Sequence, residues 1–452
     1  MKTQTQFSDE QQIALDAMLT GKNVFLTGNA GTGKSLIIKR FKELSKTNTV
    51  FVAPTGVAAI QIEGCTAHSL FNLPIGLADT EKLPDFTKEK KALIRAIDTL
   101  VIDEASLMRV DFFQILEEIL RKLAPKDKKN IPWGGKQVIV VADFLQLPAF
   151  AKDDDLKKYL QAKYKGLQAF NAPAWKEAEF LNFYLEKAFR QKDDDFFQCM
   201  LDAIRLRDIG FLSHGGLSID ILNSTCVRPK DSVPKDILRL CTTNRSAKII
   251  NEKENSAIHG KSFTFKGKIK GNFPYKDLPV DNHLEIKEGS RVMLRTNKYT
   301  PQGNLLYHNG EIGTVTAVYP SLPAVDVKLK NGRIVSVEEF SWTNYGYKLN
   351  KEGKIKQTEI GSFCQLPLSL AWATTIHRAQ GLTLTEAFII LGDEPCFCPG
   401  QLYVALSRVT AMKNLYIDRS ITANDIIIDK KARLFYENLF AFNMIFRKRT
   451  QG

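Results

Sequence analysis

The chain has no apolar stretch approaching the ~18 residues that a membrane-spanning helix needs, which speaks against a membrane-spanning helix. Its start, Met1-Lys2-Thr3-Gln4-Thr5-Gln6, has neither the apolar core of a secretory signal nor the arginines of a transit sequence, so no targeting segment is expected. Cysteine is sparse: seven residues, an odd number scattered along the chain, which argues against a disulfide framework and for a reducing compartment. Cys396-Phe397-Cys398 is the only close pair. With no Cys or His partners beside it, it reads as structural rather than metal-binding. Acid is in short supply: 50 Asp and Glu stand against 63 Lys and Arg, a net charge of +13, which points to a polyanionic partner, nucleic acid or an acidic membrane surface, between which composition does not choose.

What is present is enough for two or more domains: 452 residues, 44% of them hydrophobic. The chain is organised around Gly28-Asn29-Ala30-Gly31-Thr32-Gly33-Lys34-Ser35. An apolar run, Val24-Phe25-Leu26, precedes it and a helical pattern, Leu36-Ile37-Ile38-Lys39-Arg40-Phe41, follows. That is the context of a phosphate-binding loop. Gly28, Gly31, Thr32 and Gly33 turn backbone N–H groups around a polyphosphate, at the positive end of the next helix dipole. Lys34 is expected on the β and γ phosphates, and the Ser35 hydroxyl on Mg²⁺. A second apolar run, Thr99-Leu100-Val101-Ile102, delivers Asp103 and Glu104, expected to hold the Mg²⁺ and to activate the attacking water respectively. ATP and Mg²⁺ are thus the expected cofactors.

Other segments are ambiguous on their own. Gln11, three residues after Ser8, completes a helix-capping box or holds an adenine edge. Pro54-Thr55-Gly56 ends a strand in small residues, where a sugar–phosphate backbone can approach. Residues 71–92 form a small insertion. Gln146, in Asp143-Phe144-Leu145-Gln146-Leu147-Pro148, ends a further strand and is a γ-phosphate sensor or a plain loop amide. Strand and helix patterns resume after residue 180, with Phe189-Arg190-Gln191 near their start. Between about 262 and 365 short β segments dominate, and Asn331-Gly332 marks a hairpin. This stretch reads as a small barrel set between α/β units.

Taken in order, GNAGTGKS, the 143–148 run, the block from His377 to Leu384 (HRAQGLTL) and that from Gln401 to Arg408 (QLYVALSR) resemble the superfamily 1B helicases. Within them the chain looks like the petite-integration-frequency (PIF) family, from Gln11 to Val409, in a compact bacterial or viral form. Ala142 stands where the family often has glycine. The resemblance implies an α/β fold of two RecA-like parallel-sheet domains, with a wedge insertion at about 71–92 in the first and a Src-homology-like β-barrel in the second. The expected bounds are 1–182 for the first domain, 183–261 with 366–430 for the second, 262–365 for the barrel, and 431–452 for a C-terminal helix. ATP would lie between the two domains. Gln11, Lys34, Ser35, Asp103, Glu104 and Gln146 would come from the first, and Arg190 and Arg408, as arginine fingers, from the second, with Gly381 near the γ-phosphate.

The same resemblance implies single-strand contacts at Pro54, Thr55, Gly56, Thr66, His68, Phe71, Thr242, Asn244 and His377. The activity implied is an ATP-dependent 5′-to-3′ DNA helicase acting on single-stranded and forked duplex DNA, in DNA repair, recombination or telomere maintenance. G-quadruplexes and RNA–DNA hybrids are further substrates within its scope. A monomer without a stable protein partner is expected, cytoplasmic and nucleoid-associated in a bacterium. The competing expectations are an ATP-gated single-strand binder that never unwinds and an RNA-directed helicase.

Overall fold

The protein is represented by a computed structural model that describes residues 7–440, except 75, 81, 152, 192–193, 208–218, 230–231, 235 and 393–394. The chain divides into two units: Met1–Phe189 with Asn344–Ile360 and Asp429–Gly452, and Arg190–Thr343 with Gly361–Ile428.

The first unit is built on a six-stranded parallel sheet. Its strands are β1 (Val24–Gly28), β2 (Thr49–Ala53), β3 (Cys65–Thr66), β4 (Thr99–Ile102), β5 (Gln137–Val141) and β6 (Leu181–Leu185), in the order β3-β2-β4-β5-β1-β6. β1, β4 and β5 are buried along their whole length, which explains their near-continuous apolar sequence: helices cover both faces of such a sheet. The strands run parallel throughout, Val24 pairing with both Ile139 and Leu181. Their C-terminal ends, Gly28, Ala53, Ile102 and Val141, therefore meet at one edge of the sheet, where open α/β folds bind ligands.

Around the sheet lie α1 (Asp9–Leu19), α2 (Lys34–Leu44), α3 (Gly56–Gln61), α4 (Ala67–Phe71), α5 (Lys88–Ala96) and α6 (Val110–Leu123). Two distant segments complete the unit. In the helix Lys430–Phe440, the Tyr436 hydroxyl lies 2.6 Å from Thr27 Oγ1 and accepts from the Phe144 amide, while Phe435 stacks on Phe170 at 4.3 Å. In 344–360, the Tyr347 hydroxyl accepts from the Phe51 amide at 2.9 Å, and Asn48 Oδ1 accepts from the Ile355 amide at 3.0 Å.

Two expected bounds shift. The boundary expected after residue 182 falls inside β6, which pairs with β1 along its whole length and so belongs to the first sheet. Residues 344–360, expected within the barrel, group with the first unit by contact. The expected C-terminal helix is described as Lys430–Phe440; residues 441–452 lie outside the described residues.

The second unit carries its own parallel sheet, in which Arg239–Cys241 is flanked by Ala373–Thr375 and Ala387–Ile390, with Leu415–Ile417 at the edge. A five-stranded antiparallel sheet interrupts it, in the order Ile334–Glu338, Ala324–Leu329, Ile312–Tyr319, Arg291–Leu294, Leu368–Leu370. Alternate residues point inward to its core, as in Ile334–Glu338, where Val335 and Val337 are buried. The Asn331-Gly332 turn forms as expected: Gly332 takes φ +83° and its amide donates to Leu329 O at 2.9 Å. No helix among the described residues is long and apolar enough to cross a membrane.

Candidate nucleotide and nucleic-acid site

β1 delivers the chain into the 28–35 loop, and the loop's shape depends on its glycines. At Gly28 a Cβ would lie 2.4 Å from Leu185 O, so only glycine lets β6 run alongside. Gly31 and Gly33 take φ +80° and +85°, turning the backbone back before α2 starts. Gln11 does two jobs. It completes the capping box with Ser8, and its Nε2 donates to Thr32 O at 3.0 Å, against the face of Gly33. It thus braces the loop from the preceding helix. The Thr32 hydroxyl donates to Asn29 O at 2.9 Å, closing the loop on itself. Lys34 Nζ donates to Gly28 O and Asn29 O, both at 2.9 Å, which places an ammonium at the centre of the loop. Ser35 is exposed in the first turn of α2.

At the end of β4, Asp103 is buried and Glu104 takes the left-handed φ of +49°. The Glu104 amide donates to Asp103 Oδ1 at 2.9 Å. Burial pushes the Asp103 carboxyl up to about 7, and the neighbouring Glu104 charge pushes the same way; the Glu104 amide and the Lys34 ammonium pull it back. Two acids side by side, one of them desolvated, make a place where a hard divalent cation lowers the energy. Ser35 and Asp103 offer the oxygen donors that Mg²⁺ prefers. No group of three or more acidic, His or Cys ligands occurs among the described residues. Mg²⁺ usually takes one or two protein oxygens and fills its shell with phosphate and water. The residues present fit Mg²⁺–triphosphate.

Beyond β5, Gln146 is buried and its Nε2 donates to Asp143 Oδ2 at 2.9 Å, while Asp143 Oδ1 accepts from the Leu145 amide. Asp143 was legible as part of the 143–148 run but not as the residue that holds Gln146. Tyr184 on β6 donates to Asn29 Oδ1, a contact between residues 155 apart that no local pattern announces.

The expected single-strand residues separate into groups. Thr55 and Thr66 are helix N-caps, accepting from the Ala58 amide at 3.3 Å and the Ser69 amide at 3.2 Å. Pro54 is half-buried beside them and Gly56 is buried. His68 stands edge-on to Phe112, centroids 4.5 Å apart. Phe71 is corrected: it is 0% exposed, one face of a five-residue helix turned wholly into the core, so its ring does not offer a surface to a base. In the second unit the cap is Thr243, which accepts from the Ser246 amide at 3.2 Å and which motif reading passed over. Thr242 is buried, its carbonyl accepting from Gln401, whereas Asn244 and His377 are exposed.

Arg190 and Arg408 converge on one turn of the second unit. Half-buried Arg190 donates to Thr383 Oγ1 at 2.9 Å, Ser407 O at 3.2 Å and Gly381 O at 3.5 Å. Arg408 is only 1% exposed and donates to Val404 O, Ser407 Oγ, Ala379 O and Leu382 O. Both arginines were expected to project as fingers; in this conformation Arg408 instead lies inside its own unit, pinning the 379–382 turn. Gly381, with φ +82°, has open space where a Cβ would sit.

With this geometry in view, comparison with known proteins is informative. The sequence pattern of the PIF1-like helicases matches residues 6–205. The ATP-dependent DNA helicase Pif1 of Bdellovibrio bacteriovorus is 30% identical, over 96% of this chain and 92% of its own. The ATP-dependent DNA helicase PIF1 of Xenopus laevis is 30% identical over 92% of this chain, which spans 62% of that longer protein. Bacteroides sp Pif1 in complex with ADP-AlF4 superposes with a TM-score of 0.85 at 33% identity, over 96% of this chain and 98% of that one. The same Bacteroides protein bound to ssDNA gives 0.65. These similarities, spread across nearly the whole chain and not confined to the phosphate loop, make this protein a member of the PIF1-like helicase family.

Proposed function

We propose that this protein is an ATP-dependent DNA helicase that translocates 5′ to 3′ on single-stranded DNA and opens forked duplexes. One observation carries the reading: Lys34, Ser35, Asp103, Glu104 and Gln146 all stand at the C-terminal edge of one parallel sheet, around a loop whose glycines and lysine are already in place. The Bacteroides relative, described in complex with ADP-AlF4 and with ssDNA, supports carrying both ligand classes to this chain.

Bound Mg²⁺ would neutralise phosphate charge. The rest falls to the chain's own residues. Lys34 holds two neutral carbonyls, and a phosphate anion makes roughly twice as strong a partner for the same ammonium. Asp103 and Ser35 would hold the cation; Glu104 would take the proton of the attacking water, and Gln146, oriented by Asp143, would position that water. Arg190, resting on two carbonyls and a hydroxyl, acts as the arginine finger, and Arg408 holds the 379–382 turn beneath it. Contacts that exist only with the γ-phosphate present give a nucleotide-dependent grip, and alternation of grips becomes stepping. The strand contacts proposed are Pro54, Thr55, Gly56, Thr66, His68, Thr242, Asn244 and His377.

The test is hydrolysis with and without single strands, followed by unwinding of forks tailed at 5′ or 3′. Strong stimulation with 5′-tailed forks opened is expected. Insensitivity to single strands sinks the motor; stimulation without strand separation leaves an ATP-gated binder; opening of 3′-tailed forks alone reverses the direction.

A further inference from the structure

The first unit holds a cavity of about 90 Å³ that no catalytic role uses. Pro54, His68, Met108, Arg109, Phe112 and Phe150 line it. Water needs roughly 10–15 Å³ of such space per molecule, so the cavity holds several and has room for a planar ring. Its walls are mostly apolar and aromatic: the His68 and Phe112 rings meet at 4.5 Å and 69°, and the Arg109 guanidinium lies over Phe112 at 4.2 Å. Phe150 lines the same cavity and is 72% exposed, so its ring is accessible from solvent.

We infer that this cavity receives one unstacked nucleobase of the bound single strand, with Phe150 as the stacking platform. The inference rests on the proposed binding of single-stranded DNA and adds to it a base-holding site at Phe150. Charge decides what kind of group fits. Arg109 brings a fixed positive charge to the wall, and Asp111 already matches it with two contacts, Nε to Oδ1 at 2.7 Å and Nη2 to Oδ2 at 2.6 Å, both residues buried. A phosphate would find no uncommitted charge there, whereas a neutral planar ring gains stacking on Phe150 and contact with His68 and Met108. The cavity is also held rigid. Arg109 Nη2 donates to Gly76 O and Asp111 Oδ2 accepts from the Ala78 amide, tying the wall to the 71–92 insertion. Pro54, at the end of β2, joins the cavity to the positions proposed to follow the sugar–phosphate backbone. A strand running past those positions would bring a base over the opening, and stacking accepts any base.

The experiment is an abasic scan. A series of dT strands about ten nucleotides long, within the usual span of a single-strand site, each carries one abasic position. Affinity is measured for the wild type, Phe150→Ala and Phe150→Tyr. The wild type should lose about 5- to 150-fold at one position of the scan, the worth of one stacked base. Phe150→Ala should bind intact strands that much more weakly and show a flat scan; Phe150→Tyr should keep the dip. A flat scan with normal wild-type binding overturns the base pocket and leaves the helicase reading standing. An unchanged dip in Phe150→Ala removes Phe150 from the site and overturns the inference as stated. No binding of any strand by the wild type brings down the helicase reading itself. If Phe150→Ala folds poorly, Phe150→Leu, which keeps the bulk without the aromatic face, takes its place and should likewise flatten the scan.

Discussion

The two parallel sheets carry charged groups in contrasting electrostatic conditions. In the first unit, strand ends carry a glycine loop around Lys34 and a desolvated acid beside a second acid; Asp103 is pushed up to about 7 and Glu104 sits at φ +49°. Such groups are held in forms that a cation and an anion together would relieve. In the second unit, the charges are already spent on their own backbone: Arg408 is enclosed by carbonyls of its own turn, and Arg190 rests on Gly381, Thr383 and Ser407. The difference teaches a division of labour. One edge gathers an ammonium and two acids; the other keeps one arginine half-exposed and uses the second to hold its turn.

The largest test of that division is Arg190→Ala. DNA-stimulated turnover should fall by about 10³–10⁵, as for other arginine fingers, while nucleotide affinity stays within a few-fold. A parallel loss of affinity would mean that Arg190 belongs to the binding edge and would break the comparison. Next comes Lys34→Ala, for which hydrolysis should drop on the order of 10²–10³ while single-strand binding persists. Loss of both together would point to a misshapen loop.

Arg408→Ala sharpens the contrast. It should cost about 2–4 kcal/mol of stability, through buried carbonyls left without donors, and be read as a lower melting temperature. Loss of turnover with unchanged melting would make Arg408 a finger after all. Smaller is the effect of pH. Asp103 must be ionised to hold Mg²⁺, so nucleotide–Mg²⁺ affinity should fall as pH drops through about 7, by up to tenfold per unit, and Asp103→Asn should abolish that slope. In the ligand-free protein the sign is opposite. Between the ordinary value of 3.8 and about 7 the folded state keeps a proton that the unfolded state has released, so stability should decline as pH rises through that window. Last is Tyr347→Phe, which takes an acceptor from the Phe51 amide and should cost about 1 kcal/mol in denaturant unfolding. If nucleotide affinity moves with it, the edge of β2 and the acidic site are not independent.

Much of the candidate site was legible because its chemistry is written in short spacings. The 28–35 loop, the Asp103-Glu104 pair and the 143–148 run each need only a strand, a turn and a few residue types in fixed order. The Asn331-Gly332 hairpin was legible for the same reason. Phe71 was misread because in a five-residue helix no periodicity says which face is buried. For Arg408 the motif gives the position of an arginine but not the direction of its side chain, which here lies on the carbonyls of its own turn. Thr243 was passed over beside the residues named, although a threonine at a strand's end before a helix is itself a cap signal.

By itself, then, the sequence determined the local elements and the phosphate-loop pattern, since apolar period, glycine placement and paired acids act over a few residues and depend little on the rest of the chain. Only the tertiary structure decided that β6 joins the first sheet, that residues 344–360 and the helix at 430–440 complete the first unit, that Arg408 turns inward, and that a ring-sized cavity opens beside Phe150. Each of these depends on contacts between residues far apart in the chain, whose energy comes from packing and desolvation after the elements have formed, so no local pattern carries them.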